Sequence, residues 1–294
     1  MPVRFTKKQI ELILAISIAL GLLFAIIPFA IGYHTKVKTV TIAPGISFIV
    51  DVVFYDFFVV GLIVALIPSS MAEYINYKWR KSIEKRLPHL FRDLAEASHS
   101  GMTIFQAIEE ISRRGSDPLT EELRRVSIQL SLGASLEEAL DSMARRVNTP
   151  MVRRCVQMIT QTSKGGGKVT EVLDTIAEFT SALVSFEDER ATLMRPYVWI
   201  IYTALIILLA ISAMMTKLLI GTLSAMITAL GAPEGLTIYL DPDFFKTVFF
   251  HAAVIESIIG GLMVGKISTG TAYGGFKHVL IMLIMTLITF NFLV

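Results

Sequence analysis

Four sets of residues have the types and spacings for chemistry: a Gly167-Lys168 pair ending a glycine run, two aspartates five positions apart, five histidines with one cysteine, and several arginine pairs. Gly167-Lys168 would cradle a phosphate only with glycine at 162 and Ser or Thr at 169, and those positions hold Thr162 and Val169. The pair therefore reads as a helix boundary. Any ATP that drives this protein is bound by another chain. His34, His89, His99, His251 and His278 lack zinc-ligand spacing, and the single cysteine, Cys155, excludes an intramolecular disulfide. No cofactor or metal is expected, and the chain reads as a non-enzyme.

Asp51 and Asp56 invite comparison with intramembrane aspartyl proteases. Those need two carboxylates facing each other from different helices, one within a Gly-x-Gly-Asp phrase. A pair five residues apart on one helix points in divergent directions. Glu256 lies near the middle of a long apolar run, where an ionisable side chain costs about 2.5 to 3.5 kcal/mol. It is expected to face protein or water, either bonded to a neighbouring helix or meeting a subunit. Among the arginines, Arg113 and Arg114 follow Glu109 and Glu110 by four residues, Arg124 and Arg125 follow Glu121 and Glu122 by three, and Arg145 follows Asp141 by four, so these read as solvated helix pairs. Arg153 and Arg154 have no acidic residue three or four away. They stand near the positive end of their helix, against its dipole, which invites an acidic partner protein.

The elements that place these residues follow from a repeated phrase. Gly101-Met-Thr-Ile104, Gly133-Ala-Ser-Leu136 and Gly166-Gly-Lys-Val169 recur every 32 to 33 residues, the length of a helix hairpin. Glycine lets the chain leave one helix, and Thr103 with Gln106, or Ser135 with Glu138, forms a capping box on the next. The third copy has Lys168 at the cap position and is the weakest. Asp117-Pro118 and Thr149-Pro150 mark two more helix starts, Gly115, Asn148 and Gly165 mark stops, and Pro88 is expected to open the first packed helix. Residues 70–195 thus read as a bundle of about six short antiparallel helices. From Ser70 to Arg195 there are 18 Lys plus Arg and 18 Asp plus Glu, so no nucleic-acid footprint is present.

The remaining sequence is apolar enough to raise mean hydropathy to +0.63. Five runs are long enough to cross a hydrocarbon core of about 30 Å at about 1.5 Å per residue. They cover about 10–32 and 46–67 in an N-terminal membrane hairpin, residues 1–69, and 196–216, 244–265 and 279–294 in a C-terminal membrane region, residues 196–294. The apolar stretch Leu218–Leu230 either lengthens the third span or lies along the bilayer surface. Gly231–Asp243, with Pro233, Glu234 and Asp241, reads as an outer loop, and Lys266–His278 as an inner turn. Arg4, Lys7 and Lys8 before the first span, and Lys78 to Arg86 after the second, put the N-terminus and the bundle in the cytoplasm and the C-terminus outside. The fold class expected is all-α: a multi-pass protein of the cell membrane, with about five transmembrane helices and one cytoplasmic bundle.

The ordered set of Leu87-Pro88, the two glycine phrases, Gly165-Gly166-Gly167, and the ending from Gly260-Gly261 through Gly265-Lys266 to Gly274-Gly275-Phe-Lys277-His278 resembles a known family. It is similar to the inner-membrane platform proteins of type II secretion, type IV and tight-adherence pili, and archaella, and looks most like the archaeal and tight-adherence branch. The resemblance implies a non-enzymatic role, coupling a cytoplasmic hexameric ATPase to pilin-like or archaellin-like subunits. Many members carry two such bundles and this chain has one, which implies a homo-oligomer or pairing with a related platform subunit. Two other readings of the residues stay open: an ATPase-coupled transporter permease, and a structural membrane scaffold. Only Asp51, Asp56 and Glu256 are polar positions that weigh on a hydrophilic pathway through the spans.

Overall fold

The computed structural model describes residues 5–43, 46–164, 169–231, 242–271 and 273–294. In chain order the elements are α1 (Lys7–Ala30), strands β1 (Thr39–Ala43) and β2 (Ile46–Ile49), then α2 (Val52–His99), α3 (Ile104–Arg114), α4 (Pro118–Ser131), α5 (Leu136–Val147) and α6 (Pro150–Lys164). They continue with α7 (Val169–Met214), α8 (Gly221–Ala229), α9 (Pro242–Thr269) and α10 (Phe276–Ile288). Among the described residues the fold is all-α apart from one small hairpin. Five helical stretches, α1, α2, α7 with its continuation, α9, and α10 with its terminal turn, are long and apolar enough to cross a membrane. The chain forms two compact units, Ile75–Thr192 and, separately, Phe5–Tyr74 with Leu193–Val294.

The first unit is the helix bundle, made of the end of α2, helices α3 to α6, and the start of α7. Its helix starts follow local chemistry. Thr103 accepts from the Gln106 amide while Gln106 reaches back to the Thr103 amide, and Ser135 and Glu138 exchange the same pair of bonds at 3.2 and 3.1 Å. Hydrogen bonds from the Ser135 backbone and hydroxyl hold the Glu138 carboxyl below its ordinary range. Asp117 accepts from Leu119 and Thr120 ahead of Pro118. Each such cap contributes about 1 kcal/mol. Gly101 and Gly133 leave their helices at φ +91° and +92°, and Asn148 does so at +54°. Gly115 is extended and ends α3 without a left-handed turn. The third glycine phrase, Gly165 to Lys168, lies outside the described residues. Inside the bundle, Ile83, Leu87, Ile108, Leu123, Val126, Leu173 and Ile176 are buried at 2% exposure or less.

Four boundaries differ from the sequence reading. Pro88 does not start a helix; it lies within α2, which runs 48 residues without a break. An interior proline costs about 3 kcal/mol. Ile83, Leu87, Leu90, Phe91 and Leu94 bury one continuous face across it, at about 1.5 to 3 kcal/mol each. Burial wins. Pro196 is likewise interior to α7, which continues through it.

The second span does not begin at Ile46. Residues 46–49 pair antiparallel with 39–43, in the register Thr39↔Ile49, Val40↔Phe48 and Thr41↔Ser47, because a run rich in Val, Ile and Thr flanks Pro44-Gly45. The inner turn is shorter than 266–278, since α9 extends to Thr269 and α10 starts at Phe276. After α7 a π-helical turn, Met215–Ile220, leads straight into α8, so the helix continues into the apolar stretch. Of the expected outer loop, residues 232–241 lie outside the described residues.

The second unit packs Val59, Ile63, Leu205, Phe250, Met282 and Phe290 into one apolar core. Close helix approach depends on glycine there: a Cβ on Gly21 of α1 would lie 2.6 Å from the Gly61 carbonyl oxygen of α2, and the reverse distance is the same.

Candidate functional site

The residues of interest fall into the two units. In the bundle, Thr149 accepts from the Val152 amide at 3.4 Å and starts α6, whose Met151, Val152, Cys155, Val156 and Ile159 point inward. That phase leaves Arg153 and Arg154 exposed on the first turn. Arg153 donates to the Asn148 side-chain oxygen at 3.2 Å. Arg154 makes no hydrogen bond or ion pair among the described residues. Neither arginine meets a carboxylate there, so the turn presents two cations at the positive end of a helix. Beneath it, burial pushes the Cys155 thiol up to about 12, which leaves it unreactive.

The other arginines sort differently from expectation at one point. Arg113 and Arg114 pair with Glu109 and Glu110, and Arg145 with Asp141 at 2.8 Å, all on exposed faces. Arg125 meets Glu122 at 3.2 Å, but Arg124 does not pair with Glu121 and has no partner among the described residues. Nor is Glu122 solvated. Its side chain is 4% exposed and takes a second bond from Arg146, on α5, at 2.7 Å. Sequence reasoning missed this cross-helix pair, although a signal existed: Glu122 shares a helix face with Leu119, Leu123 and Val126, all buried.

In the second unit the three carboxylates have three different roles. Asp51 is not inside a span. It precedes α2, accepts from the Val53 amide at 2.9 Å as a cap, and receives the Tyr33 hydroxyl at 2.9 Å. Asp56 lies within α2 and accepts from the Asn291 amide group at 2.9 Å, leaving its other oxygen buried without a partner. Asn291, a lone amide near the end of an apolar run, was the available signal. Glu256 is half-buried on α9 and makes no hydrogen bond or ion pair among the described residues. Ile255, Ile259 and Met263 beside it are 52 to 56% exposed, so Glu256 interrupts an outward apolar stripe. The structure does not bring Asp51, Asp56 and Glu256 together into one site. Two further polar contacts were not read from the sequence: Tyr202 with His278 at 2.8 Å, and Ser257 with Thr286 at 3.0 Å inside the core.

The described residues thus present an exposed cationic turn on the helix bundle and, in the separate apolar unit, a carboxylate on an outward apolar stripe. Residues 90–216 match the family described as type II secretion system (T2SS), protein F. An uncharacterized protein of Methanocaldococcus jannaschii is 26% identical over 237 residues, which is 81% of this chain and 38% of that relative, so the chain spans about two fifths of the relative's length. No solved structure matches. The chain is a multi-pass membrane protein whose residues 90–216 match the type II secretion system protein F family.

Proposed function

We propose that the chain is the membrane assembly platform of a pilus-like, archaellum-like or secretion machine. In this reading it couples a cytoplasmic ATPase to the insertion of pilin-like or archaellin-like subunits. The observation that carries it is the protein F domain, which runs from the charged bundle into an apolar span. The bundle receives the ATPase, with Arg153 and Arg154 steering its acidic surface; Glu256 meets a subunit or a second platform chain within the membrane. The platform works as a homo-oligomer or with a related subunit.

Orientation has its own test. We place the bundle in the cytoplasm and the β-hairpin outside, on the basic residues that follow the second apolar run. Cysteine at the exposed position of Lys36 should react with an impermeant thiol reagent in whole cells, and cysteine at Glu178 only after lysis. Cys155, buried and with a raised pKa, contributes little background. Labelling at 178 but not at 36 in intact cells would invert the topology.

For function, cells lacking this gene should lose a surface filament or a secreted set of subunits, and the wild-type gene should restore it. Glu256→Gln should insert normally, since an amide is cheaper to bury, yet restore less than a tenth of the filaments. Loss of solute uptake with filaments intact would replace the platform with a permease. Full restoration by Glu256→Gln would return that side chain to a structural role.

A further inference from the structure

At the midpoint of α9 stands a carboxylate without a counter-charge among the described residues. The helix spans 28 residues, Pro242–Thr269, and Glu256 is the fifteenth of them, so its carboxyl lies near the middle of the membrane. Ala252, Ile255, Ile259 and Met263 surround it on the outward face, and all four are exposed. Ala252, one turn away, is small enough to let a second helix come close. An ionisable group at that depth is costly against acyl chains, so its place on this stripe marks a contact.

The cations of the same unit lie at the wrong depth to meet it. On α9 itself Lys246 and Lys266 are each ten residues from Glu256, about 15 Å along the axis. Ser257 bonds to Thr286 at 3.0 Å, which sets the level of α10, and Lys277 is nine residues from Thr286, about 13 Å away. Gly260 packs on Ile201, which puts Glu256 level with Leu205 of α7, and Arg195 and Lys217 are ten or more residues from there. The Tyr55 ring meets His251 and sets the level of α2, where the nearest charges, Asp56 and Glu73, are acidic. Lys8 of α1 is further still, since Gly21 is the residue that faces Gly61. Lys38, ahead of the β-hairpin, pairs with Asp243. The nearest basic group is His251, five residues or about 7 Å away, whose Nδ1 lies 2.7 Å from the Thr247 carbonyl.

The same depths apply to a second copy. Copies inserted in one sense are related by rotation about the membrane normal, which keeps every residue at its own level. A second copy therefore brings another Glu256 to this height, a like charge and not a cation. Lipid does no better, because acyl chains are uncharged at mid-depth and headgroups lie at the ends of the span. The occupant is a different protein.

We propose that the outward stripe of α9 is a docking face for a transmembrane helix of another protein, one that sets a lysine or arginine at mid-membrane depth against Glu256. It rests on the reading above that Glu256 meets a protein inside the membrane, and it fixes that partner by sign and by depth. Ala252, Ile255, Ile259 and Met263 supply packing that any apolar helix would accept, so the ion pair supplies the selection, in a medium where water does not screen it. A neutral donor such as serine or asparagine would bond the carboxylate and leave its charge uncompensated.

The test uses the full chain in phosphatidylcholine nanodiscs and, as probe, a synthetic leucine-alanine transmembrane peptide, with association read by energy transfer. A peptide with one central lysine should bind at least tenfold more tightly than the same peptide with leucine there, or with the lysine moved about three turns, about 16 Å, toward either end. A central position has the same depth whichever way the peptide inserts. Glu256→Gln should bring the lysine and leucine peptides within twofold of each other. Ile255→Trp with Ile259→Trp blocks the face and keeps the charge; it should melt with the parent, since both side chains point outward, and should weaken lysine-peptide binding at least tenfold. Equal affinity of the parent for the lysine and leucine peptides would overturn the proposal, as would a lysine preference that survives Glu256→Gln. A central asparagine that binds as tightly as lysine would also overturn it, by making the face a site for neutral donors. So would energy transfer between two labelled copies of the chain that Glu256→Gln abolishes, which would give the face to a second copy. None of these outcomes touches the platform reading, which stands or falls on the loss of filaments when the gene is deleted.

Discussion

Gly265→Ala should destabilise the membrane unit by about 3 kcal/mol or more, the largest effect expected of any single methyl group in this protein. A Cβ at Gly265 would stand 1.9 Å from the Gly275 nitrogen and 2.1 Å from its Cα. Those are backbone atoms with no rotamer to change. The same contact continues one turn back, where a Cβ on Gly261 would meet the Val279 backbone at 2.5 Å. Gly261 and Gly265 thus form a small-xxx-small seam that lets α9 lie directly on the start of α10 and the turn before it, and in a bilayer such close packing replaces the hydrophobic drive that holds soluble helices together. Gly260→Ala is the control. Its Cβ meets only the side chains of Ile201 and Met282, at 3.0 and 3.2 Å, and Met282 is flexible enough to give. Thermal unfolding in detergent should separate the two variants clearly. If Gly265→Ala melts with the parent, the helices do not approach as closely as described.

Glu122→Ala should be the most damaging change in the bundle, at about 3 to 5 kcal/mol, because it leaves the half-buried Arg146 guanidinium without its carboxylate. Removing an exposed pair of the Arg113–Glu109 kind should cost well under 1 kcal/mol, since water already screens both charges. The buried case also predicts a rescue. Replacing both Glu122 and Arg146 by methionine substitutes apolar volume for two desolvated charges, and stability should return close to that of the parent. Urea unfolding of the full chain, followed by a probe in the bundle, measures all three. A Glu122→Ala loss below 1 kcal/mol would show that water reaches this pair.

What the amino-acid sequence determined by itself was whatever depends on neighbours in the chain. Thr103 with Gln106, Ser135 with Glu138, and Asp117 with Pro118 are contacts over three residues or fewer, and each formed where the residue types put it. The glycine phrases were legible for the same reason, since a left-handed turn at Gly101 or Gly133 is a property of one residue. Five apolar stretches and an all-α fold follow from composition and length alone. Tertiary structure decided the rest, wherever a distant partner changed the local balance. Pro88 looks like a helix start until the packing that carries α2 across it is counted. Asp51 looked intramembrane until Tyr33 and the α2 amides claimed it. Glu122 and Arg146 are 24 residues apart, and a helix wheel could flag the buried carboxylate but not name its cation. Arg124 shows the opposite case, a charge whose neighbour in sequence does not become its neighbour in space. The candidate faces of this protein lie where such long-range packing leaves a group without a partner, because local chemistry sets each helix while only the assembled helices decide which side chains remain uncovered.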